Sequence, residues 1–174
     1  MLYLFDANVL ITANNTYLAI DQVGEYWEWV QYQGEIGNIK IPAEIMEEIL
    51  AGKDTKKGQT NDDLLLPWIK QPHIKKALLL DEKVDPALVT EVITKGYAPD
   101  LKDTELEVIG RDPFIVAYAR AAPNRCVVSI ETSAPSKKRQ NRRVPDVCNT
   151  FNIACYQPYE INRALGFKTN WKKP

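Results

Sequence analysis

CVVSI, at residues 126–130, is the stretch that decides the fold, and Glu131 follows it directly. Its β-branched and apolar residues are typical of a strand that is buried on both faces. A second run of this kind opens the chain, where residues 1–5 (MLYLF) lead into Asp6. We therefore predict two buried strands that each end at an acidic residue.

The rest of the chain alternates between predicted helices and short strands. Residues 38–42 and 152–156 are further predicted strands, and residues 53–63 are a predicted polar loop. Strands that are too apolar to be half-exposed and that alternate with helices favour an α/β sandwich on a parallel sheet. Helices are predicted over residues 7–13, 20–32, 43–50, 64–81, 86–95 and 112–121, and from Val144 onward, and prolines interrupt or cap the segments at 64–81 and 86–95.

Length and composition indicate one ordinary globular domain. The chain has 174 residues, of which 45% are hydrophobic and 26% charged. Its longest apolar run, Phe114 to Ala119, is far shorter than the roughly 20 residues that a membrane span needs. The first residues carry no basic segment and reach Asp6 early, so we expect a mature start and not a signal peptide.

The few cysteines and histidines exclude several kinds of catalytic site. His73 is the single histidine, which argues against a Ser-His-Asp or Cys-His hydrolase and excludes a site with several histidine ligands. Cys126, Cys148 and Cys155 are odd in number and lack CxxC spacing, so we expect free thiols in a reducing cytoplasm. Catalysis must therefore use carboxylates, hydroxyls, lysine or arginine.

Charge is distributed unevenly along the chain. The net charge is only −1, yet residues 133–174 have Asp146 and Glu160 as their sole acids, while residues 1–132 are acidic. A basic segment on an acidic body suits binding to an anionic polymer such as nucleic acid, although a solvated loop has the same composition. The cations nearest to Glu131 in sequence are Lys137, Lys138, Arg139, Arg142 and Arg143.

Four acidic residues stand at positions that an α/β sandwich brings to one edge. Asp6 and Glu131 follow predicted strands, and ligands of parallel sheets bind beyond the carboxyl ends of strands. Glu48 borders the apolar stripe of its helix, and Asp112 precedes a proline that opens another helix. Each acid alone has an ordinary explanation as a helix cap or a solvated residue.

Together these acids suggest metal-dependent chemistry. Crowded carboxylates repel one another unless cations neutralise them, and Mg²⁺ or Mn²⁺ prefers oxygen ligands. One or two such ions can activate water for phosphodiester hydrolysis without any histidine.

Four motifs resemble those of PIN-domain nucleases, in the order of that family. YLFDANVLI contains Asp6 and Asn8, and IPAEIMEEI places Glu48 where the family has its second acid. RDPFIVAYA and CVVSIET are similar to the segments with the third and fourth acids. RRVPDVCNTFNI is similar to the end of a subgroup that has Glu on the fourth strand.

This resemblance implies a three-layer α/β/α sandwich and a Mg²⁺- or Mn²⁺-dependent ribonuclease. Many small members are VapC-type toxins of type II toxin–antitoxin systems, so an antitoxin partner and a homodimer are also expected. The chain is then one PIN-like domain over residues 1–174, with a helical insertion at about 51–103. The implied metal ligands are Asp6, Glu48, Asp112 and Glu131, supported by Asn8, Ser129 and Asp146.

One question about the metal and two other interpretations remain at this stage. Glu131 is one methylene longer than the Asp usual in the family, which leaves the number of ions open. A phosphatase with a nucleophilic Asp6 would require a second Asp two residues later, where this chain has Asn8. A non-catalytic PIN-like module that binds RNA or protein through the basic loop is the main alternative to a nuclease.

Overall fold

A computed structural model describes residues 1–51 and 64–172 of the chain. At its centre is a five-stranded sheet in which every pairing is parallel. The order of the strands is β3-β2-β1-β4-β5. The strands are β1 Leu2–Phe5, β2 Ile39–Pro42, β3 Leu79–Leu80, β4 Arg125–Val128 and β5 Cys155–Tyr156.

Helices cover this sheet and make a three-layer α/β/α sandwich, which confirms the predicted fold class. No helix in the described part of the chain is long and apolar enough to cross a membrane. The α-helices are α1 Ala7–Asn15, α2 Gly24–Glu35, α3 Ala43–Ala51, α4 Leu65–Ile69, α5 Pro72–Leu78, α6 Pro86–Glu91, α7 Asp103–Ile109, α8 Asp112–Arg120, α9 Val144–Thr150 and α10 Pro158–Ala164.

The central strands are buried as the sequence predicts. Leu4 and Phe5 of β1 are fully buried, as are Val127 and Val128 of β4. A parallel sheet is covered by helices on both faces, so its strands contain continuous apolar runs in place of an alternating pattern. Removing this apolar area from water is the main force that assembles the three layers.

The path of the chain creates a crevice between β1 and β4. From β1 the chain moves to β2 and β3 on one side, then returns to β4 on the other side of β1. Phe5 pairs with Val128 at the carboxyl ends of these two strands. Ligands of open α/β sheets bind at such a reversal of strand order. The residues that follow, Asp6 and Ser129, therefore lie side by side at this crevice.

The helical segment predicted over residues 64–81, with prolines as interruptions, is correct only as far as Leu78. The structure has two short helices there, α4 and α5, followed by the edge strand β3. Pro72 begins α5 because its ring suits the first turn of a helix and not its interior. Leu79 and Leu80 are extended because they pair with Ile41 and Pro42 of β2. Part of the predicted insertion at 51–103 thus belongs to the central sheet.

Other boundaries also differ from the sequence predictions. The helix predicted over 86–95 is α6 followed by a π-helix, Val92–Tyr97. Two short helices, α7 and α10, have no counterpart among the predictions. Neither contains enough apolar residues for a helical period to stand out. The loop predicted at 53–63 lies outside the described residues.

Packing of α2 against α5 gives a test of the fold. A Cβ atom on Gly34 would lie 2.7 Å from Leu78 Cδ2 and 2.8 Å from the Ala77 carbonyl oxygen. We expect Gly34→Ala to lower the free energy of unfolding by about 1–3 kcal/mol, because the backbone at Ala77 must move. Urea denaturation measures this change.

The matched control is Gly24→Ala in the same helix. A Cβ atom there meets nothing within 4 Å. Its effect should stay below about 1 kcal/mol, the range of the intrinsic helix propensities of the two residues. Equal losses for the two variants would contradict the close packing of α2 on α5.

Candidate active site

The crevice between β1 and β4 holds a buried carboxylate bonded to a buried hydroxyl. Asp6 follows β1 and is 3% exposed, while Ser129 follows β4 and is fully buried. The Ser129 hydroxyl donates a hydrogen bond to Asp6 Oδ2 at 3.1 Å. Ser129 Oγ also accepts a bond from the Glu131 backbone N–H at 3.2 Å. Ser129 thereby connects the first and fourth predicted acids.

Electrostatics mark Asp6 as the centre of an acidic site. Burial, and to a smaller extent the negative charges of Glu48 and Glu131, raise the pKa of Asp6 to about 6. The hydrogen bond from Ser129 acts in the opposite direction by stabilising the ionised form. The structure therefore brings Asp6, Glu48 and Glu131 within electrostatic range of one another.

Helix α3 contains three glutamates, and they face different surroundings. Glu48 is half-buried and acts on Asp6. Glu44 faces α8, where its charge contributes, after burial, to raising the pKa of Tyr118 to about 12. Glu47 is exposed and makes an ion pair with Arg111 at 2.7 Å. The apolar stripe of α3 thus points Glu48, and not its neighbours, toward the crevice.

Glu131 is engaged by the start of α9. Its Oε1 accepts a hydrogen bond from Arg143 Nη1 at 2.9 Å, and its Oε2 accepts one from the Val144 backbone N–H at 2.8 Å. The Gln157 side chain also donates to the Glu131 carbonyl oxygen at 2.6 Å. These contacts fix the loop after β4 and orient the carboxylate toward α9.

Asp112 is the first residue of α8, and Pro113 is the second. It is not the N-cap that its position before a proline suggests, because Arg111 occupies the cap position. Asp112 is half-buried, and its charge, together with that of Glu131, raises the pKa of Tyr97 beyond the effect of burial. Asp112 and Glu131 therefore both lie within electrostatic range of Tyr97.

The chemical types of the side chains at this site fit Mg²⁺ or Mn²⁺, but the side chains stand apart from one another. Carboxylates are preferred ligands of both ions, and the raised pKa of Asp6 marks an uncompensated anionic environment. In residues 1–51 and 64–172, no three Asp, Glu, His or Cys side chains are grouped closely enough to hold a metal ion. Glu131 would have to turn from Arg143 to join the others.

Most of the predicted basic loop is bound to the protein itself. Arg139 makes ion pairs with Asp100 at 2.7 Å and Glu105 at 2.8 Å, which ties the loop to α7. Arg143 pairs with Glu131. Lys137 and Lys138 remain exposed. The arginines of this loop are thus partly exposed and bonded within the protein, while Lys137 and Lys138 are the lysines that the loop exposes.

Asp146 and Asn8, the two other predicted supporting residues, are not among the hydrogen-bond partners described for Asp6. Asp146 Oδ1 accepts a bond from the Ser133 hydroxyl at 2.5 Å, and its Oδ2 accepts one from the Ala134 N–H at 2.8 Å. Asp146 thus fastens the loop after β4 to α9. Asn8 is half-buried in the first turn of α1.

Tyr97 is the residue near this site that motif analysis missed. It is 6% exposed, and its hydroxyl has no hydrogen-bond partner in the described structure. Its sequence surroundings, TKGYAPD at 94–100, contain no pattern linked to catalysis. The pairing of Arg143 with Glu131 was also not predicted, because the two residues are twelve positions apart and no local pattern joins them.

Comparison with known families identifies the chain only by a family of unknown function. A family model described as a domain of unknown function (DUF4411) matches residues 3–169. The chain belongs to this family. No curated protein and no solved structure matches the chain. Membership in the DUF4411 family thus covers nearly the whole chain and assigns no activity.

In metal-free protein, we expect the ionised Asp6 carboxylate to lower the free energy of unfolding. An acid with a raised folded pKa destabilises the fold as pH rises above its unfolded value near 3.8, and the effect levels off above about pH 6. We expect Asp6→Asn to raise the free energy of unfolding by up to about 3 kcal/mol near neutral pH. The gain should vanish near pH 4. Urea denaturation with chelator at both pH values measures it.

Ser129→Ala serves as the opposing variant. Because it removes the bond that stabilises ionised Asp6, it should raise the pKa of Asp6 further and lower stability most at neutral pH. An Asp6→Asn variant that is less stable than the parent at neutral pH would contradict this account of the site.

The Glu131–Arg143 pair can be tested by a double-mutant cycle. We expect Glu131→Gln and Arg143→Gln to be non-additive, with a coupling of about 0.5–1 kcal/mol, since both side chains are partly exposed. Thermal or urea unfolding of the four proteins in chelator gives the coupling. Strict additivity would show that the ion pair does not fix the loop after β4.

Proposed function

We propose that this protein is an endoribonuclease that hydrolyses RNA phosphodiester bonds with Mg²⁺ or Mn²⁺. The observation that carries the proposal is the buried Asp6 carboxylate in the crevice between β1 and β4, with the charges of Glu48 and Glu131 acting on it. Burying acidic groups near one another is unfavourable, and an oxygen-preferring cation offsets that cost.

The residues that would hold the ion are Asp6, Glu48, Asp112 and Glu131. When bound, a divalent cation at such a site activates water and offsets charge on the scissile phosphate. The motifs shared with PIN-domain nucleases supply the expectation of this chemistry, and the positions of the first, second and fourth acids around one crevice support it.

Neighbouring residues have defined roles in this proposal. Ser129 orients Asp6 and favours its ionised form through the hydrogen bond to Oδ2. Arg143 holds Glu131 and lowers the repulsion between it and the other acids. Lys137 and Lys138 are exposed in the loop that follows, where they would contact RNA phosphates without regard to sequence.

The proposed biological role is that of a toxin in a type II toxin–antitoxin system. It rests on the likeness of the motifs to small VapC-type proteins, and it includes a cognate antitoxin and a homodimer as partners. Three free thiols, at Cys126, Cys148 and Cys155, are in keeping with a cytoplasmic location. Growth arrest on expression of the parent, and not of a Glu48→Gln variant, would support the role.

A non-catalytic module that binds RNA is the second candidate. It is favoured by the engagement of Glu131 with Arg143 and Val144, which leaves the acids ungrouped for a metal in the described residues. The two candidates differ in one outcome, since only the nuclease requires the acids for RNA to be cut.

Cleavage of a mixed cellular RNA pool tests the nuclease. Purified protein should cut RNA with Mg²⁺ or Mn²⁺ and not with chelator. Asp6→Asn, Glu48→Gln and Asp112→Asn should each lower the rate by roughly a hundredfold or more, because each removes a charged oxygen ligand. Gel electrophoresis of the products gives the rates.

Glu47→Gln is the matched control for Glu48→Gln. The two glutamates are adjacent on α3, but Glu47 is exposed and paired with Arg111. It should retain the parent rate. RNA that is cut equally well by Glu48→Gln and by Glu47→Gln would overturn the assignment of the site, and RNA that stays intact with both metals would favour the binding module.

A further inference from the structure

A groove of about 620 Å³ lies beside the acidic site, between the loop after β4, α9 and the π-helix Val92–Tyr97. Its volume falls in the range of roughly 300–1,000 Å³ that is usual for small-molecule sites. The lining is mainly polar and includes Tyr97, Ser133, Lys138, Arg142, Asp146 and Asn149.

Tyr97 lines this groove, and its hydroxyl is a hydrogen-bond donor that the described residues leave unpaired. The side chain is 6% exposed, and the hydroxyl itself is buried. Buried tyrosine hydroxyls are normally bonded, since leaving one unpaired is unfavourable. The charges of Asp112 and Glu131 act on this hydroxyl, so it lies within electrostatic range of both acids.

The surrounding contacts hold Tyr97 in this position. It ends a π-helix, an irregular form of helix that is frequent at functional sites. The preceding Gly96 packs so closely on α9 that a Cβ atom would lie 2.8 Å from Val147 Cγ1. Arg142 donates a hydrogen bond to the Gly96 carbonyl oxygen. The position of the tyrosine is therefore built by three separate elements.

The charges that line the groove favour an anion. Arg142 donates to three neutral oxygens, those of Gly96, of the Asp146 backbone at 2.9 Å and of the Thr150 hydroxyl at 3.0 Å. Among the described residues, none of its hydrogen bonds goes to a carboxylate. Lys138 is exposed, with a contact of 3.5 Å to the Pro135 carbonyl oxygen. The Asp146 carboxylate accepts bonds from the loop, as described above.

We propose that this groove binds the sugar-phosphate unit of an RNA strand next to the bond that is cut. In this proposal a small movement of the Tyr97 side chain toward the groove lets its hydroxyl donate a hydrogen bond to an oxygen of that unit, while Lys138 and Arg142 oppose the phosphate charge. This inference rests on the proposed ribonuclease function, because that function supplies RNA as the ligand. The groove then sets the path of the strand from the acidic site toward α9.

Tyr97→Phe tests the proposal because it removes only the hydroxyl. The probe is a short, fluorescein-labelled, single-stranded RNA of mixed sequence, in chelator so that it is not cut. We expect the dissociation constant from fluorescence anisotropy to rise roughly threefold to tenfold, the worth of one hydrogen bond. The melting temperature should stay equal or rise, since the lost hydroxyl has no partner among residues 1–51 and 64–172.

Tyr118→Phe is the matched control. Its ring is also buried, but its hydroxyl donates to the Glu82 carbonyl oxygen at 3.0 Å. This variant should melt at a lower temperature and bind the RNA as tightly as the parent. Lys138→Gln, at an exposed position, should weaken binding and lower the slope of log affinity against log salt by roughly 0.7.

The outcomes separate this inference from the proposed function. Metal-dependent cleavage by the parent, with RNA affinity unchanged in Tyr97→Phe and Lys138→Gln, overturns the groove and leaves the nuclease standing. Affinity lowered in both variants, with no cleavage by the parent, supports the groove and overturns the nuclease. A lower melting temperature for Tyr97→Phe than for Tyr118→Phe would mean that the hydroxyl serves the fold, which also overturns the groove.

Discussion

The site depends on one hydrogen bond between the ends of two neighbouring strands. Parallel pairing of Phe5 with Val128 places Asp6 beside Ser129, and the serine hydroxyl then bonds the carboxylate. Because both residues are buried, the carboxylate has little water to solvate it and must rely on the groups around it. The positions of the other acids matter chiefly through their effect on this one group.

The arginines around the site form ion pairs within the protein, and these pairs fix its loops. Arg139 is paired with acids near α7, and Arg143 holds Glu131 at the start of α9. Charges used in this way give the loop after β4 a defined path over the crevice. The exposed Lys138 and the tyrosine at the end of the π-helix are thereby held close to the acidic site.

Local sequence could predict the sheet and part of the site, because both depend on short-range patterns. Asp6 follows an apolar strand and Glu48 borders an apolar stripe, so their placement at one edge follows from periodicity and topology. The edge strand Leu79–Leu80 could not be predicted, since two residues carry no period and their pairing with β2 decides their conformation. Tyr97 was equally hidden, because a missing hydrogen-bond partner exists only in three dimensions.

The π-helix makes the chain sensitive to length at one point. A turn of this helix contains about one residue more than an α-helical turn, so deleting one residue from Val92–Tyr97 would let α6 continue as regular α-helix. Each residue of an α-helix advances by about 100° around the axis. Such a deletion would carry the aromatic ring of Tyr97 away from its present position. The extra residue of the π-helix thus sets the register at which Gly96 packs on α9 and Tyr97 enters the core.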